Sequence, residues 1–387
     1  MPKKVGIILV GYKDYVNRFL DECRDSLRAQ NYPQELYQVY IIDNCSINDC
    51  EYAKKNFPEA KCVARPDGNY AAANNLGIKL ARQDGCEYFV IANMDTKFAS
   101  NWLLELVEAI ESDPQIGIAQ SKVLLYPKNE EEWKNPKINS LGNIIHFLGF
   151  GFTSHYGESD KPHPQTSPHP SPSQGEGEIF KEGDFNPPHP PLEGGHYPEI
   201  NGYASGCSFI TKKEVIDKIG GYNEEYYMYH DDFELGWKVR LAGYKIILAP
   251  KSMVYHKYEF SRSVQMLYYM ERNRHLAIFT FYRPLTIVLI LPSLILMDLG
   301  IFFYSIVNGW FFTKLKICFY FLNPLSWIKI LKARKKINKL RVKKDSEIVK
   351  DFSGKVLFQE IDNLVLKYIV NPALNIYWAI VKRLIFW

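Results

Sequence analysis

The densest chemistry in the chain is the run Tyr227-Met228-Tyr229-His230-Asp231-Asp232-Phe233-Glu234-Leu235-Gly236-Trp237-Lys238, which sets three carboxylates within four residues at the start of a helical stretch. One acid suffices to cap a helix, so three exceed what capping needs, although a solvated acidic helix start has the same composition. Repulsion among the three should raise at least one pKa. A carboxylate tuned in that way can take a proton from a sugar or lipid hydroxyl. Two further acids close apolar, β-branched runs: Asp43 in Ile41-Ile42-Asp43-Asn44-Cys45-Ser46, and Asp95 in Asn93-Met94-Asp95-Thr96. Acids at two strand ends of one parallel sheet point into one crevice, a setting for a nucleotide and a divalent cation; helix capping is the plainer alternative. Between them, Asp67-Gly68-Asn69-Tyr70-Ala71-Ala72-Ala73-Asn74-Asn75-Leu76-Gly77 opens a helix with small residues. Small side chains let a diphosphate approach backbone donors, and Asn74 or Asn75 can add an amide. His256 ends the run Val254-Tyr255-His256; a lone histidine is as readily structural as a ligand.

The pattern around these residues supplies the elements that must hold them. Strand-like runs at Lys4 to Val10, Tyr37 to Asp43, Lys61 to Ala64, Glu87 to Asn93 and Ile116 to Gln120 alternate with helix-period stretches at Asp14 to Gln30, near 70–83 and near 99–112. That alternation predicts βαβ units and an α/β fold with a mainly parallel sheet, whose ligands sit outside the carboxyl ends of the strands. Further on, the pattern predicts helices near 212–219, 231–242 and 261–281 and strands at 244–249 and 252–256.

Composition limits the alternatives. The chain has 387 residues, 47% hydrophobic, enough for one large or two modest domains and a real core. Lysine and arginine total 47 against 43 acids, a net of +4 that is too small for a nonspecific nucleic-acid surface, so no nucleic-acid partner is expected. Nine basic residues and no acid fall between Lys329 and Lys344, which suits anionic lipid or a solvated basic helix. Seven cysteines without a CxxC pair, and a start that runs straight into a strand, read as cytosolic and reduced, without a cleaved signal peptide. From 161 to 198 the chain holds ten of its 22 prolines and four of its nine histidines, which reads as a flexible insertion within the catalytic domain. Residues 285–307 carry one charge, Asp298, over a length that matches the ~20 apolar residues of a bilayer span. Basic residues on both flanks leave a single span and a re-entrant or monotopic hairpin equally open.

Taken in order, these pieces resemble family 2 glycosyltransferases of the GT-A fold, most like the bacterial rhamnosyltransferase or galactofuranosyltransferase-like branch. The resemblance covers about 4–282. It rests on the Asp43 and Asp95 motifs, on Gly206 with Ile219-Gly220-Gly221-Tyr222-Asn223-Glu224, on Asp231 to Trp237, and on Tyr268-Tyr269-Met270-Glu271-Arg272-Asn273-Arg274. It implies a GT-A domain over 1–282 and a C-terminal membrane-associated helical region over 283–387, at the cytoplasmic face of the cell membrane. It also implies an inverting, metal-dependent transfer of a sugar from a nucleotide-sugar donor to a lipid-linked or saccharide acceptor, in cell-surface polysaccharide synthesis. By resemblance Asp232 is the general base with Asp231 before it. Val10, Gly11, Tyr12, Asp43, Asn74 and Asn93 bind the nucleotide, Asp95 and His256 hold Mg²⁺ or Mn²⁺, and Gly206 and Trp237 meet the acceptor.

The sequence departs from the family pattern at three places. Asn93 stands for the first acid of an acid-x-acid motif, the stretch 67–69 lacks the glycine usual after an asparagine, and Lys238 replaces an arginine. Two other readings compete. A sugar-phosphate nucleotidyltransferase would want a glycine-rich basic loop after the first strand, which Gly11-Tyr12-Lys13-Asp14-Tyr15 does not supply; a catalytically inactive membrane-bound scaffold would keep the fold without the affinity.

Overall fold

The computed structural model describes residues 3–44, 50–160, 197–258, 263–357 and 364–387. Nearly all of the proline-rich insertion predicted over 161–198 therefore lies outside the described residues, as do Cys45 and Ser46.

Four parallel strands form one half of the sheet: β1 (Val5–Gly11), β2 (Tyr37–Asp43), β3 (Lys61–Ala64) and β4 (Tyr88–Ala92). The other half contains β5 (Thr96–Phe98), β6 (Ile116–Leu125), β7 (Ile138–Ser140), β10 (Ser208–Lys212) and β11 (Lys245–His256), while β8 (Asn143–Ile145) and β9 (Gly151–Thr153) make a separate hairpin. The spatial order is β3-β2-β1-β4-β10-β6-β11-β5, with β7 on β6. β10 runs antiparallel between β4 and β6, so the sheet is mixed rather than parallel throughout. The two strands expected at 244–249 and 252–256 are one strand, β11, with an irregularity between Ala249 and Met253. The short strands β5, β7, β8 and β9 were not legible, because three residues are too few to establish a period.

Strand side chains alternate between two helical layers. Ile7, Leu9, Val39 and Ile41 pack under α1 (Tyr15–Arg28), α2 (Glu51–Asn56) and α4 (Trp102–Glu111). Ile8, Val10, Tyr40 and Ile42 face α3 (Tyr70–Gln83), α6 (Lys213–Ile219) and α7 (Asp231–Leu241). Both faces are covered, which is why these strands read as continuous apolar runs. A short helix, α5 (Glu130–Lys134), precedes β7.

The C-terminal helices are α8 (Val264–Phe281), α9 (Pro284–Val307), α10 (Phe311–Leu322), α11 (Pro324–Leu340), α12 (Asp345–Val349) and α13 (Asn371–Leu384). One apolar cluster runs through Phe147, Phe152, Phe233, Trp237, Phe281, Leu294, Phe352 and Trp378, so this region shares a core with the sheet domain.

Candidate functional site

Register brings the predicted residues to one edge. Gly11 pairs with Asp43, which pairs with Ala64, so β1, β2 and β3 end together. β10 is antiparallel, so its start rather than its end reaches that edge: Ser208 pairs with Ala92, and Asn93 N donates to the Cys207 carbonyl at 2.9 Å. The end of β11 arrives there through β5, where His256 pairs with Thr96. A Cβ on Gly11 would lie 2.6 Å from Val16 Cγ2 and 3.7 Å from Asp43 Oδ1, so only glycine leaves this corner open.

Asp95 and His256 face each other. His256 Nε2 lies 3.4 Å from Asp95 Oδ1, and both side chains are buried. Asn139 Oδ1 stands 2.9 Å from His256 Nδ1, which fixes Nδ1–H as the donor and turns Nε2 toward the acid. Burial opposes the His256 cation, but Cys207 and Asp95 outweigh it and hold its pKa well above the ordinary value. Asp95 Oδ1 is buried and, among the described residues, its nearest cationic partner is His256 Nε2. A carboxylate oxygen and an imidazole nitrogen directed at one point suit a divalent cation, which would take the place of the shared proton.

Asp231 and Asp232 open α7 after a strained approach. Tyr227, Tyr229 and His230 all have positive φ, near 60°, a conformation that costs a non-glycine residue roughly 1–3 kcal/mol unless its surroundings enforce it. Asn273 on α8 enforces it, donating from Nδ2 to the carbonyls of Tyr226, Met228 and Tyr229 at 2.8, 3.0 and 2.7 Å. Arg272 donates to the carbonyls of Glu225 and Tyr226 and lies over the rings of Tyr268, Tyr269 and Tyr320. His230 Nε2 meets the Gly149 carbonyl at 3.1 Å. The loop thus delivers Asp232, whose carboxylate accepts from Gly206 N at 3.2 Å and Phe233 N at 2.8 Å. Desolvation raises its pKa to about 6 even so, and raises Asp231 well above the ordinary range, with the Asp232 charge adding to the latter. Two carboxylates this close keep one proton between them.

These groups form one chain of contacts: Asp232 to Gly206, Cys207 to His256, His256 to Asp95. Tyr70 adds a second link, its hydroxyl donating to Asn93 Oδ1 at 3.1 Å.

Other predicted residues go elsewhere. Trp237 is 1% exposed, stacked on Phe281 at 4.8 Å and edge-on to Tyr282 and Phe352, so it meets the core and not an acceptor. Asn74 is fully buried with Nδ2 bonded to the Tyr70 carbonyl and offers no amide to a nucleotide; Asn75 bonds Tyr222 and Glu224 instead. Val10 points its side chain into the core, leaving its backbone at the edge. Gly206 reaches the site as a donor to Asp232. Sequence reasoning passed over Asn44, whose buried amide has both polar atoms without partners among the described residues, and Asn273, although both sit inside the motifs quoted for the resemblance. Nothing in the sequence pointed to Asn139.

Residues 7–166 match the family model for "Glycosyl transferase family 2". Over this segment, which is under half of the chain, the sequence is similar to glycosyl transferase family 2. The chain is 31% identical over 55 residues to the N-acetylglucosaminyl-diphospho-decaprenol L-rhamnosyltransferase of Mycobacterium tuberculosis, covering 14% of this chain and 18% of that protein. It is 26% identical over 206 residues to the uncharacterized protein y4gI of Sinorhizobium fredii, covering 51% of this chain and again 18% of that one. The aligned part thus spans under one fifth of each relative's length. Among solved structures, the chain is similar to GalNAc-T7 with UDP, GalNAc and Mn²⁺, with TM-score 0.49 and 14% identity over 73% of this chain and 48% of that one. It is also similar to S. aureus TarS 1–349 in complex with UDP, with TM-score 0.46 and 14% identity over 98% and 90%.

Proposed function

We propose that this chain is an enzyme that moves a sugar, with inversion, from a nucleotide-diphosphate donor to a hydroxyl of a lipid-linked or saccharide acceptor. The observation that carries the reading is Asp232: a carboxylate lifted to about 6 at the sheet edge that also presents Asp43 and Asp95. A group with that pKa is largely ionised at neutral pH yet basic enough to accept a proton as a hydroxyl attacks.

In this reading the base of the donor lies at Asp43 against the backbone of Val10 to Tyr12. Asp95 and His256 would hold Mg²⁺ or Mn²⁺, and a bound cation supplies charge neutralisation for the departing diphosphate. The acceptor oxygen bonds to the anomeric carbon as the bond from that carbon to the diphosphate oxygen breaks on the opposite face. Asp232 takes the hydroxyl proton, while Asp231 keeps its own and so adds no second negative charge. The Tyr227–His230 loop, clamped by Asn273, fixes where Asp232 meets the acceptor.

An acceptor in a membrane is supported by α9, 24 residues long and apolar enough to cross one. It is supported also by the lipid-linked acceptor in the name of the mycobacterial relative, over the 55 residues they share. We place the reaction at the cytoplasmic face, in cell-surface polysaccharide synthesis. The test is calorimetry of the full chain against UDP, dTDP and GDP with and without Mn²⁺, followed by NMR of the product's anomeric configuration. Metal-dependent binding of one nucleotide and an inverted product are expected. No binding to any nucleotide by folded protein would favour an inactive scaffold.

A further inference from the structure

The C-terminal helices bury one face and bare the other. In α9, Thr286, Ile290, Ser293, Leu294 and Ser305 are buried, whereas Leu285, Val288, Ile295, Leu299, Phe303 and Ile306 are exposed. Spacings of three and four put the two sets on opposite sides of the helix. Both α10, which bares Phe312 and Phe319, and α13, which bares Ile376 and Ile380, pack against α9. Exposed apolar surface continued over neighbouring helices marks a docking surface.

Charge says what docks. Along α11 the exposed stripe begins with Ile328 and Leu331 and continues, at the same helical spacing, as Lys332, Lys335, Lys336 and Lys339. Four of the other five basic side chains of this run are engaged: Lys329 with Glu225, Arg334 with the Phe279 carbonyl, Arg341 with Asp345 and Lys343 with Glu347. Among the described residues no acid pairs with the four lysines. An apolar face that passes into unpaired cations fits the boundary between acyl chains and anionic headgroups.

The packing of α9 says how it docks. Its midpoint, Asp298, is joined to Arg274 and lies 2.8 Å from His275 Nε2; Arg274 holds Glu271 with two bonds of 2.8 Å, and Lys314 meets Glu271 at 2.6 Å. These four acidic and basic partners, Glu271, Arg274 and His275 of α8 and Lys314 of α10, pin α9 along the protein. Glu271, His275 and Asp298 could by position gather a metal ion, but Arg274 and Lys314 already balance both carboxylates. Near the start of the helix, Thr286 Oγ1 donates to Asp345 Oδ2 at 2.6 Å. Crossing a bilayer would strip these groups of their partners and put polar atoms into hydrocarbon.

We infer that α9, α10 and α13 form an in-plane docking face for a bilayer carrying anionic lipid, drawn there by the lysine stripe of α11, and that α9 does not cross it. The inference rests on the membrane-association part of the proposed function and is independent of the transfer chemistry. On α8, Asn273 grips the loop before Asp231 while its neighbour Arg274 grips α9, so docking also fixes the height of the catalytic loop over the bilayer.

Two experiments on the full chain test this. Flotation with phosphatidylcholine vesicles, with and without about one third phosphatidylglycerol, should show binding to the anionic vesicles. Lys335→Gln with Lys336→Gln should weaken it about thirtyfold, at roughly a factor of five per lysine removed. Equal binding to neutral vesicles, or a dimer that binds none, would overturn the proposal, the latter by showing that a second copy covers the face. In inside-out membrane vesicles from bacteria expressing the chain, Asn308→Cys in a background with Cys45, Cys62 and Cys318 replaced by serine should react with an impermeant maleimide without detergent, beyond the labelling of that background alone. Reaction only after detergent would establish a crossing helix and sink the in-plane geometry. Nucleotide calorimetry on the same protein reports separately, so failure of the transfer reading and failure of the docking reading are distinguishable.

Discussion

Two buried clusters of carboxylates in this chain have opposite surroundings. Glu271 and Asp298 are matched by Arg274 and Lys314; burial works against the Glu271 carboxylate, yet Arg274, His275 and Lys314 outweigh it and hold its pKa down at about 2. Asp231 and Asp232 have no lysine or arginine paired with them among the described residues, so desolvation wins and both are raised. Among the described residues Asp95 pairs with a histidine and with no lysine or arginine. The difference separates structure from chemistry. Where the fold supplies the countercharge the acids act as fasteners, and where it withholds one the acids keep the energetic room to bind a cation or take a proton.

The sharpest way to break this comparison is Asp232→Asn, which should lower transfer at least a thousandfold while leaving nucleotide binding intact by calorimetry. Loss of nucleotide binding to the same extent would remove Asp232 from the role of base. Glu271→Gln acts on the other cluster and should cost about 3 kcal/mol of stability in denaturant melts, because Arg274 and Lys314 would be left with one acid. Little change there would mean that the compensated cluster is not a fastener. Asp95→Ala should weaken metal-dependent nucleotide binding about a hundredfold and leave metal-free binding unchanged, read in the same calorimeter. If affinity falls equally without metal, Asp95 is a structural acid like Glu271 and Asp298.

The smallest effects sharpen the comparison through pH. With the Asp232 pKa near 6, the transfer rate should fall about tenfold per unit below that value. For stability, its folded pKa lies above the ordinary 3.8, so the folded state binds the extra proton between these values. Wild-type stability therefore declines as pH rises from about 3.8 through 6. The Asp232→Asn protein escapes that decline and should melt a few degrees higher than wild type at pH 8, with the gap closing by pH 4. A gap of the opposite sign would show that the hydrogen bonds from Gly206 and Phe233 outweigh desolvation.

Much of the candidate site's edge was legible because it is local. Asp43 ends β2 as the apolar run predicted, and the stretch opened by Asp231 is α7 from that residue onward. Helices expected near 70–83 and 212–219 are α3 and α6. The misreadings share one cause, which is that a side chain's surroundings come from distant segments. Trp237 lies only five residues from Asp232, but on α7 it turns toward Phe281 and Phe352. Asn74 and Asn75 are adjacent and chemically identical, yet one bonds its own helix and the other bonds Tyr222.

The sequence by itself determined the strand and helix alternation, the acids at the strand ends, the acidic opening of α7 and the apolar length of α9, all of which follow from periodicity and residue type within short windows. The tertiary structure alone decided that β10 runs against its neighbours and so brings Gly206 to Asp232. It decided that Asn139, 117 residues away, orients His256 toward Asp95. It decided, too, which buried acids received a countercharge: Asp298 is a lone charge in an apolar run until α8 and α10 fold against it. Desolvation and pairing depend on what lies within a few ångströms in space, and no window along the chain contains that information.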